Sequence, residues 1–299
     1  MRSETVVITG ATGYLGGRLA RGLREGGRTV VALALDLRDR ESVRRTFADV
    51  PEGADLLHLA AANEFTCAED LGACLAINGA GTQHVLDSAL ERRVRRVLFF
   101  STFHVYGDVP GDLSESTAPN PLHPYGISKQ VGEQLCRASA RRGHELAIVR
   151  LSNAIGAPAS ADLSRWSLLC LDLCRQAHAE RHLRLRSAGY QERDFIGMGD
   201  VQRAVERLLE VDGGALVDPV FNVGSGVATR VRDLAAQIQA EYARLYGEPL
   251  SLEAPDGSPG PPGARFVIDR LRGLGFDPRV ELSSELADTL RFCERFRST

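Results

Sequence analysis

Thr5-Val6-Val7-Ile8-Thr9-Gly10-Ala11-Thr12-Gly13-Tyr14-Leu15-Gly16-Gly17 is the stretch on which the fold turns. Its first five residues are short and β-branched, the composition of a buried strand. Glycines 10, 13 and 16 follow at a spacing of three, and residues 18–25 then read as a helix. Strand, glycine loop, helix is the order of a dinucleotide-binding turn. The glycines permit a tight turn and let the backbone approach a pyrophosphate, which amides hold at the positive end of the helix. Among 30 glycines a lone triplet means little, and its place directly after the first strand gives it weight. Gly10, Gly13, Tyr14, Leu15 and Gly16 are therefore the first candidate cofactor contacts.

A second signal is Tyr125-Gly126-Ile127-Ser128-Lys129, whose lysine is the only one among 36 lysines and arginines. Four residues make about one helical turn, so the phenol and the ammonium rise from the same face and can meet around one ligand. Bringing a phenol from about pH 10 to about pH 7 takes roughly 4 kcal/mol of preferential phenolate stabilisation, much of which one cation in a dry pocket can supply. A lysine also reaches a ribose hydroxyl where the broad arginine fork would fill the space. By itself a Tyr-x-x-x-Lys pair occurs by chance on many helices.

The two signals together resemble the extended short-chain dehydrogenase/reductase family, the NAD-dependent epimerase/dehydratase group that modifies nucleotide sugars. Asp55-Leu56-Leu57-His58-Leu59-Ala60-Ala61 is similar to the family's fourth strand, and Phe100-Ser101-Thr102-Phe103-His104-Val105-Tyr106-Gly107 to its fifth. Further matches come in order at Arg150-Leu151-Ser152-Asn153-Ala154-Ile155-Gly156, at Gln191-Glu192-Arg193-Asp194-Phe195-Ile196 and at Phe221-Asn222-Val223-Gly224-Ser225-Gly226. The resemblance implies an α/β fold: a Rossmann-type doubly wound parallel sheet formed by residues 1–152 and 196–224. A smaller substrate-binding lobe is interleaved with it, from residues 153–195 and 225–299. It also implies Tyr125 as proton carrier, Lys129 holding the nicotinamide ribose, and Thr102 hydrogen-bonding the reacting oxygen. Leu59, Ala60 and Ala61 are expected beside the cofactor. Asn153 and Arg193 fall where relatives contact the substrate's diphosphate or nucleotide, with loop capping or a local ion pair as the plainer roles. Asn78 braces the cofactor side or caps a helix. The stretches 78–92 and 126–142 resemble dimer helices, which implies a homodimer.

One region departs from the pattern. Only residues 28–35 lie between the first helix and Asp36-Leu37-Arg38-Asp39, so the second-strand region is shortened: a strand and helix are absent, or two strands have become one. Asp36 lies 20 residues beyond Gly16, the spacing of a ribose-binding acid that favours NAD over NADP. Alternatively Asp36-Leu37 lies beside adenine, the ribose reader is absent, and Arg18, Arg38 or Arg40 accommodates a 2′-phosphate.

Composition fits a soluble enzyme large enough to bury a substantial core, with 299 residues, 43% of them hydrophobic. A net charge of -3 gives no general attraction to nucleic acid or anionic membrane. Arg92, Arg93, Arg95 and Arg96 form the one dense basic patch, read as a solvated surface after the helical stretch 80–90. Six cysteines without a Cys-x-x-Cys pair or flanking histidine ligands indicate no metal and read as free thiols in a reducing compartment. A first strand at about residue 5, with no apolar run of membrane-spanning length, points to a cytoplasmic protein. Residues 109–124 read as a long loop, 166–177 and 231–246 as helices, 183–186 as a strand, and 255–263 as an extended loop. Pocket specificity is expected in residues 157–190 and 227–264.

The residues directly after Thr102 narrow the reaction. Relatives that remove water across C5 and C6 resemble Thr-Asp-Glu here, because elimination needs an acid and a base; this chain has Phe103-His104. Dehydration and decarboxylation are thereby disfavoured. His104 is either an acid/base at an epimerisable carbon or, on an alternating strand, a structural or substrate-shaping residue facing elsewhere. The remaining expectation is redox at C4 of a nucleotide-linked sugar with NAD, or NADP in its place. Epimerisation by transient oxidation comes first and reduction of a keto sugar second. A third reading is a dinucleotide sensor without turnover.

Overall fold

The computed structural model describes residues 3–160, 166–260 and 263–296. Six parallel strands form the central sheet: β1 (Thr5–Thr9), β2 (Thr29–Leu33), β3 (Asp55–His58), β4 (Arg96–Thr102), β6 (Glu145–Leu151) and β10 (Val220–Val223). Their spatial order is β10-β6-β4-β3-β1-β2. The chain moves outward from β1 to β2, then crosses back to place β3 on the other side of β1. That reversal opens a crevice at the carboxyl ends of β1 and β3, where the glycine loop sits.

Alternation along these strands explains why helices cover both faces. Val6, Ile8, Leu57, Leu98, Phe100, Ala147 and Val149 enter one core with Leu19 and Leu23 of α1 (Tyr14–Glu25) and Val201 and Leu208 of α8 (Met198–Glu210). Val7, Leu56, Val97, Phe99, Leu146 and Ile148 enter the other. There they meet Val43 and Phe47 of α2 (Arg40–Phe47), Val85 and Leu86 of α5 (Gly81–Glu91), and Cys136 of α6 (Pro124–Ala140). Strands buried on both faces read as continuous apolar runs, and each successive residue belongs to the opposite layer.

The shortened region has a simple form. β2 is the sheet edge beside β1, and α2 leads from it directly to β3. Two short helices, α3 (Glu64–Glu69) and α4 (Leu71–Leu75), lie between β3 and a π-helical turn at Ala76–Ala80 that runs into α5. Within residues 109–124 a two-residue strand, β5 (Asp112–Leu113), pairs with β13 (Arg265–Phe266).

A third apolar cluster, outside the sheet, joins α7 (Leu169–Ala179), α9 (Val231–Tyr246) and α11 (Leu282–Cys293) around Leu171, Leu234, Ile238 and Leu290. The three-stranded sheet β7 (Asn153–Ile155), β9 (Glu192–Gly197) and β11 (Ala228–Arg230) adjoins it, as does the pair β8 (His182–Arg184) and β12 (Ser251–Glu253). The short α10 (Asp269–Gly273) packs against β10. Residues 161–165 and 261–262, parts of the two stretches expected to set specificity, lie outside the described residues.

Two expectations need correction. The basic patch is not a solvated face: Arg96 is 1% exposed, binding Glu145 at 2.6 Å and the Leu208 carbonyl at 2.7 Å. Arg95 reaches the buried Asp55 at 2.7 Å. These arginines stand at the head of β4, where a carboxylate at the head of β3 and open carbonyls draw them inward; of the four only Arg93 is exposed, and it pairs with Glu52 at 3.2 Å. Nor are all cysteines free thiols. Cys67 and Cys74 are joined by a disulfide, because α3 and α4 fold back on each other and bring residues seven apart together. Cys136, Cys170, Cys174 and Cys293 are free and buried.

Candidate active site

The glycine loop is built by close approach. Gly10 has φ +74°, and a Cβ there would stand 2.6 Å from the Ala60 amide nitrogen. A Cβ on Gly16 would fall 2.1 Å from the Gly10 carbonyl oxygen, so α1 can start against the loop only with glycine at that place. Gly13 caps α1 without a side-chain hydrogen bond, and no acidic residue occupies the first turn. The positive end of α1 is thus open to an anion, and these residues fit the pyrophosphate of a dinucleotide.

A cleft of about 830 Å³ runs from this loop. Gly10, Gly13, Tyr14, Leu15, Gly16, Leu59 and Ala61 line it together with Thr102, His104, Tyr125, Lys129, Asn153 and Arg193. One cavity therefore gathers residues from the first strand's end to the ninth strand. Tyr14 lines it with its hydroxyl tied to the Gly156 carbonyl at 2.6 Å. Four expected cofactor residues are not in the lining. Asp36 is exposed and held by both arms of Arg38, at 3.0 and 2.8 Å, which brings its carboxyl down to about 2. Leu37 is buried beneath α5, and the Ala60 amide donates to Thr9 Oγ1 at 3.3 Å. Asn78 is buried behind the wall. Its Oδ1 accepts from the Ala62 amide at 2.7 Å and its Nδ2 donates to Ser128 Oγ at 2.9 Å. It joins the loop after β3 to α6.

α6 carries the Tyr/Lys pair and starts sharply. His123 is its N-cap, with Nδ1 accepting from the Gly126 amide at 3.3 Å, and Pro124 occupies the first turn. Ser128 donates to the Tyr125 carbonyl at 2.8 Å. Lys129 is 3% exposed, with Nζ 4.2 Å from the centre of the Phe99 ring. Burial pushes its ammonium down to about 8, against the opposing pull of Cys136 and Glu133. One turn further, Glu133 accepts from both arms of Arg150, at 3.0 and 2.7 Å, and from Ser101 Oγ at 2.6 Å. This fully buried pair locks α6 to the ends of β4 and β6.

β4 ends at Thr102, and residues 103–106 turn into a 3₁₀ segment, whereas the expected strand ran on to Gly107. Thr102 Oγ1 accepts from the His104 amide at 3.2 Å. Because of that turn His104 does not follow strand alternation. Its ring enters the cleft, with centroids 4.7 Å from His123 and 6.3 Å from Tyr125. Burial, then the neighbouring His123 and Arg193, pushes its imidazole down to about 4, so it is neutral near pH 7.

Across the cleft, Asn153 Nδ2 donates to the Asp194 carbonyl at 2.9 Å while still lining the cavity. Arg193, Arg184 and Arg186 reach the lining from β9, β8 and the segment after β8 and are exposed. Sequence reasoning missed Asp194. Its carboxylate accepts from Ser225 N at 2.8 Å, Ser225 Oγ at 2.9 Å and Gly226 N at 2.7 Å, fixing the Gly224-Ser225-Gly226 turn. It also missed Glu133, whose signal was its place four residues beyond Lys129, and His123, whose signal was its place directly before Pro124.

Residues 6–224 match the family described as the NAD dependent epimerase/dehydratase family, and the chain belongs to it. It is 24% identical to a protein of Bacillus subtilis called an uncharacterized UDP-glucose epimerase, over 96% of this chain and 97% of that one. It is 26% identical to a dTDP-glucose 4,6-dehydratase of Streptomyces niveus, over 96% and 92%. The fold is that of the structure of RMD from Pseudomonas aeruginosa complexed with NADPH: TM-score 0.83, 24% identity, covering 98% of this chain and all of that one. Relatives called dehydratases thus stand beside those called epimerases, and family membership alone does not exclude dehydration.

Proposed function

We propose that the chain performs NAD(P)-dependent oxidoreduction at C4 of a nucleotide-linked sugar, as a C4 epimerase. The observation that carries this reading is the convergence of Thr102, Tyr125 and Lys129 on one cleft with the Gly10–Gly16 loop. When bound there, the dinucleotide supplies a reversible hydride acceptor. Thr102 donates to the reacting oxygen. Tyr125, as phenolate, takes the proton of the C4 hydroxyl as the carbonyl forms, and its hydroxyl returns that proton when the carbonyl is reduced again. Lys129 favours the phenolate and binds a ribose hydroxyl. Asn153 and Arg193 engage the diphosphate or nucleotide, and the exposed Arg184 and Arg186 add positive charge to that wall. His104, neutral and beside Tyr125, shapes the sugar's surroundings.

Elimination is outside this proposal, because Thr102 is followed by Phe103-His104 and not by the acid and base it requires. A second reading is reduction of a nucleotide-linked keto sugar by NADPH. It is favoured by the Arg38–Asp36 ion pair at 2.8 Å, which neutralises the carboxylate that would otherwise disfavour a 2′-phosphate. A homodimer through α5 and α6 is also proposed: Ile127 and Val131 on α6 are 39% and 38% exposed, an apolar face that a second copy would cover.

Incubation with UDP-, GDP-, CDP- and dTDP-sugars, with product sugars resolved chromatographically, tests the reading. A C4-inverted sugar formed without net NAD(P)H consumption is expected. Stoichiometric NAD(P)H consumption with a keto sugar would favour reduction, and a 4-keto-6-deoxy product would overturn the exclusion of elimination.

A further inference from the structure

We propose that the Cys67–Cys74 cystine is a redox-modification site that sets the wall of the catalytic cleft, with the disulfide form the competent one. The inference goes beyond the proposed reaction and rests on it only for its kinetic readout.

Both sulfurs are fully buried in a small cluster with Ala62, against which Ile77 and Tyr125 pack. Asn78 Nδ2 lies 3.7 Å from Cys67 Sγ and 3.6 Å from Cys74 Sγ. The same amide nitrogen reaches the Ala62 carbonyl at 3.2 Å and Ser128 Oγ at 2.9 Å, and Ser128 holds the Tyr125 carbonyl. The cystine therefore touches the side chain that ties the loop after β3 to the catalytic helix. It also fastens α3, which contributes Glu64 and Phe65 to the cleft lining.

Reduction is a balanced exchange with a dithiol. The dithiol's thiolate attacks one sulfur, the resulting mixed disulfide is resolved by its second thiol, and two electrons and two protons end on Cys67 and Cys74 while the reductant becomes a disulfide. Two thiols at van der Waals separation need more room than two bonded sulfurs, and a buried, close-packed cluster gives little. As a thiol, Cys67 Sγ, 3.9 Å from the Ala62 carbonyl, also becomes a donor that competes with Asn78 there. Either α3 moves outward with Glu64 and Phe65, or Asn78 loosens its hold on Ala62 and Ser128. The corner is lightly held: α3 and α4 are six and five residues long, separated by Asp70 alone, with Phe65 and Leu71 54% and 43% exposed. Short helices with exposed apolar groups open locally at low cost, which admits a reductant. In a compartment that keeps thiols reduced, a bond of this kind is transient and regulatory.

The test compares protein treated with oxidised glutathione and with dithiothreitol, each then exposed to iodoacetamide. In the oxidised sample Cys67 and Cys74 should escape alkylation; after dithiothreitol both should label. Amides of residues 62–78 should exchange with deuterium at least about tenfold faster in the reduced protein. KM for the nucleotide sugar should rise at least about threefold and return on reoxidation, and Cys74→Ser should stay in the reduced behaviour under either treatment. Alkylation of both cysteines in the oxidised sample, or equal exchange and equal KM in the two forms, would overturn the proposal. The labelling and exchange measurements need no turnover, so failure of the sugar chemistry leaves them decisive.

Discussion

The start of α6 and the wall made by β8 and β9 face the same cleft and are built in opposite ways. On α6, Ser128, Lys129 and Glu133 are buried, and the helix is pinned by the His123 cap, the Asn78 amide and the Glu133–Arg150 pair. On the facing wall Leu183 and Leu185 point inward while Arg184, paired with Glu253, and Arg186 are exposed, and Arg193, also exposed, is close enough to His104 to act on its imidazole. Proton transfer depends on fixed geometry, and the groups proposed to carry it sit where packing leaves little freedom. On the proposed reading these arginines recognise a charged substrate, a role that long flexible side chains can fill. The two walls should accordingly fail differently.

The largest effect is expected on the rigid wall. Tyr125→Phe removes the proposed proton carrier and should lower turnover about a thousandfold, with dinucleotide affinity by calorimetry changed less than about threefold. Full activity in that variant would remove the contrast between the walls. Gly16→Ala drives a Cβ into the Gly10 carbonyl and should weaken dinucleotide binding about a hundredfold, measured by fluorescence titration. On the soft wall, Arg193→Ala should raise KM for the nucleotide sugar about tenfold with kcat nearly unchanged, the signature of lost uniform binding. A collapse of kcat instead would place Arg193 with the chemistry.

The smallest effect is a pH dependence. Lys129 is charged below about 8 and neutral above it, so kcat/KM should be halved near that pH and fall further as pH rises. The same depression means that the folded protein binds fewer protons than the unfolded chain between about 8 and the usual 10.5, so this group's contribution to stability rises with pH across that window. A kcat/KM profile flat from about pH 7 to about pH 10 would separate Lys129 from the reaction.

Legibility in the sequence follows the same division. The glycine loop was readable because close backbone approach leaves glycine alone at Gly16, and the Tyr125/Lys129 face was readable because helical spacing is fixed. Helix α9 was read with its observed ends, since its apolar period runs uninterrupted from Val231 to Tyr246. Burial of Arg96 was not legible: it depends on Glu145 and on a carbonyl of α8, 112 residues away, meeting it at the sheet's end. The Cys67–Cys74 pairing depended on a turn at Asp70 between two helices too short to show a period. His104 was read on a strand because nothing local announces that β4 stops at Thr102.

The most direct test of the central claim uses a nucleotide sugar carrying deuterium at C4. If one carbon loses and regains hydride in the cleft while Tyr125 handles only the hydroxyl proton, the inverted product keeps its deuterium at C4 and takes none from solvent deuterium oxide. Washing of the label into water, or inversion with solvent deuterium incorporated at C4, would contradict that mechanism.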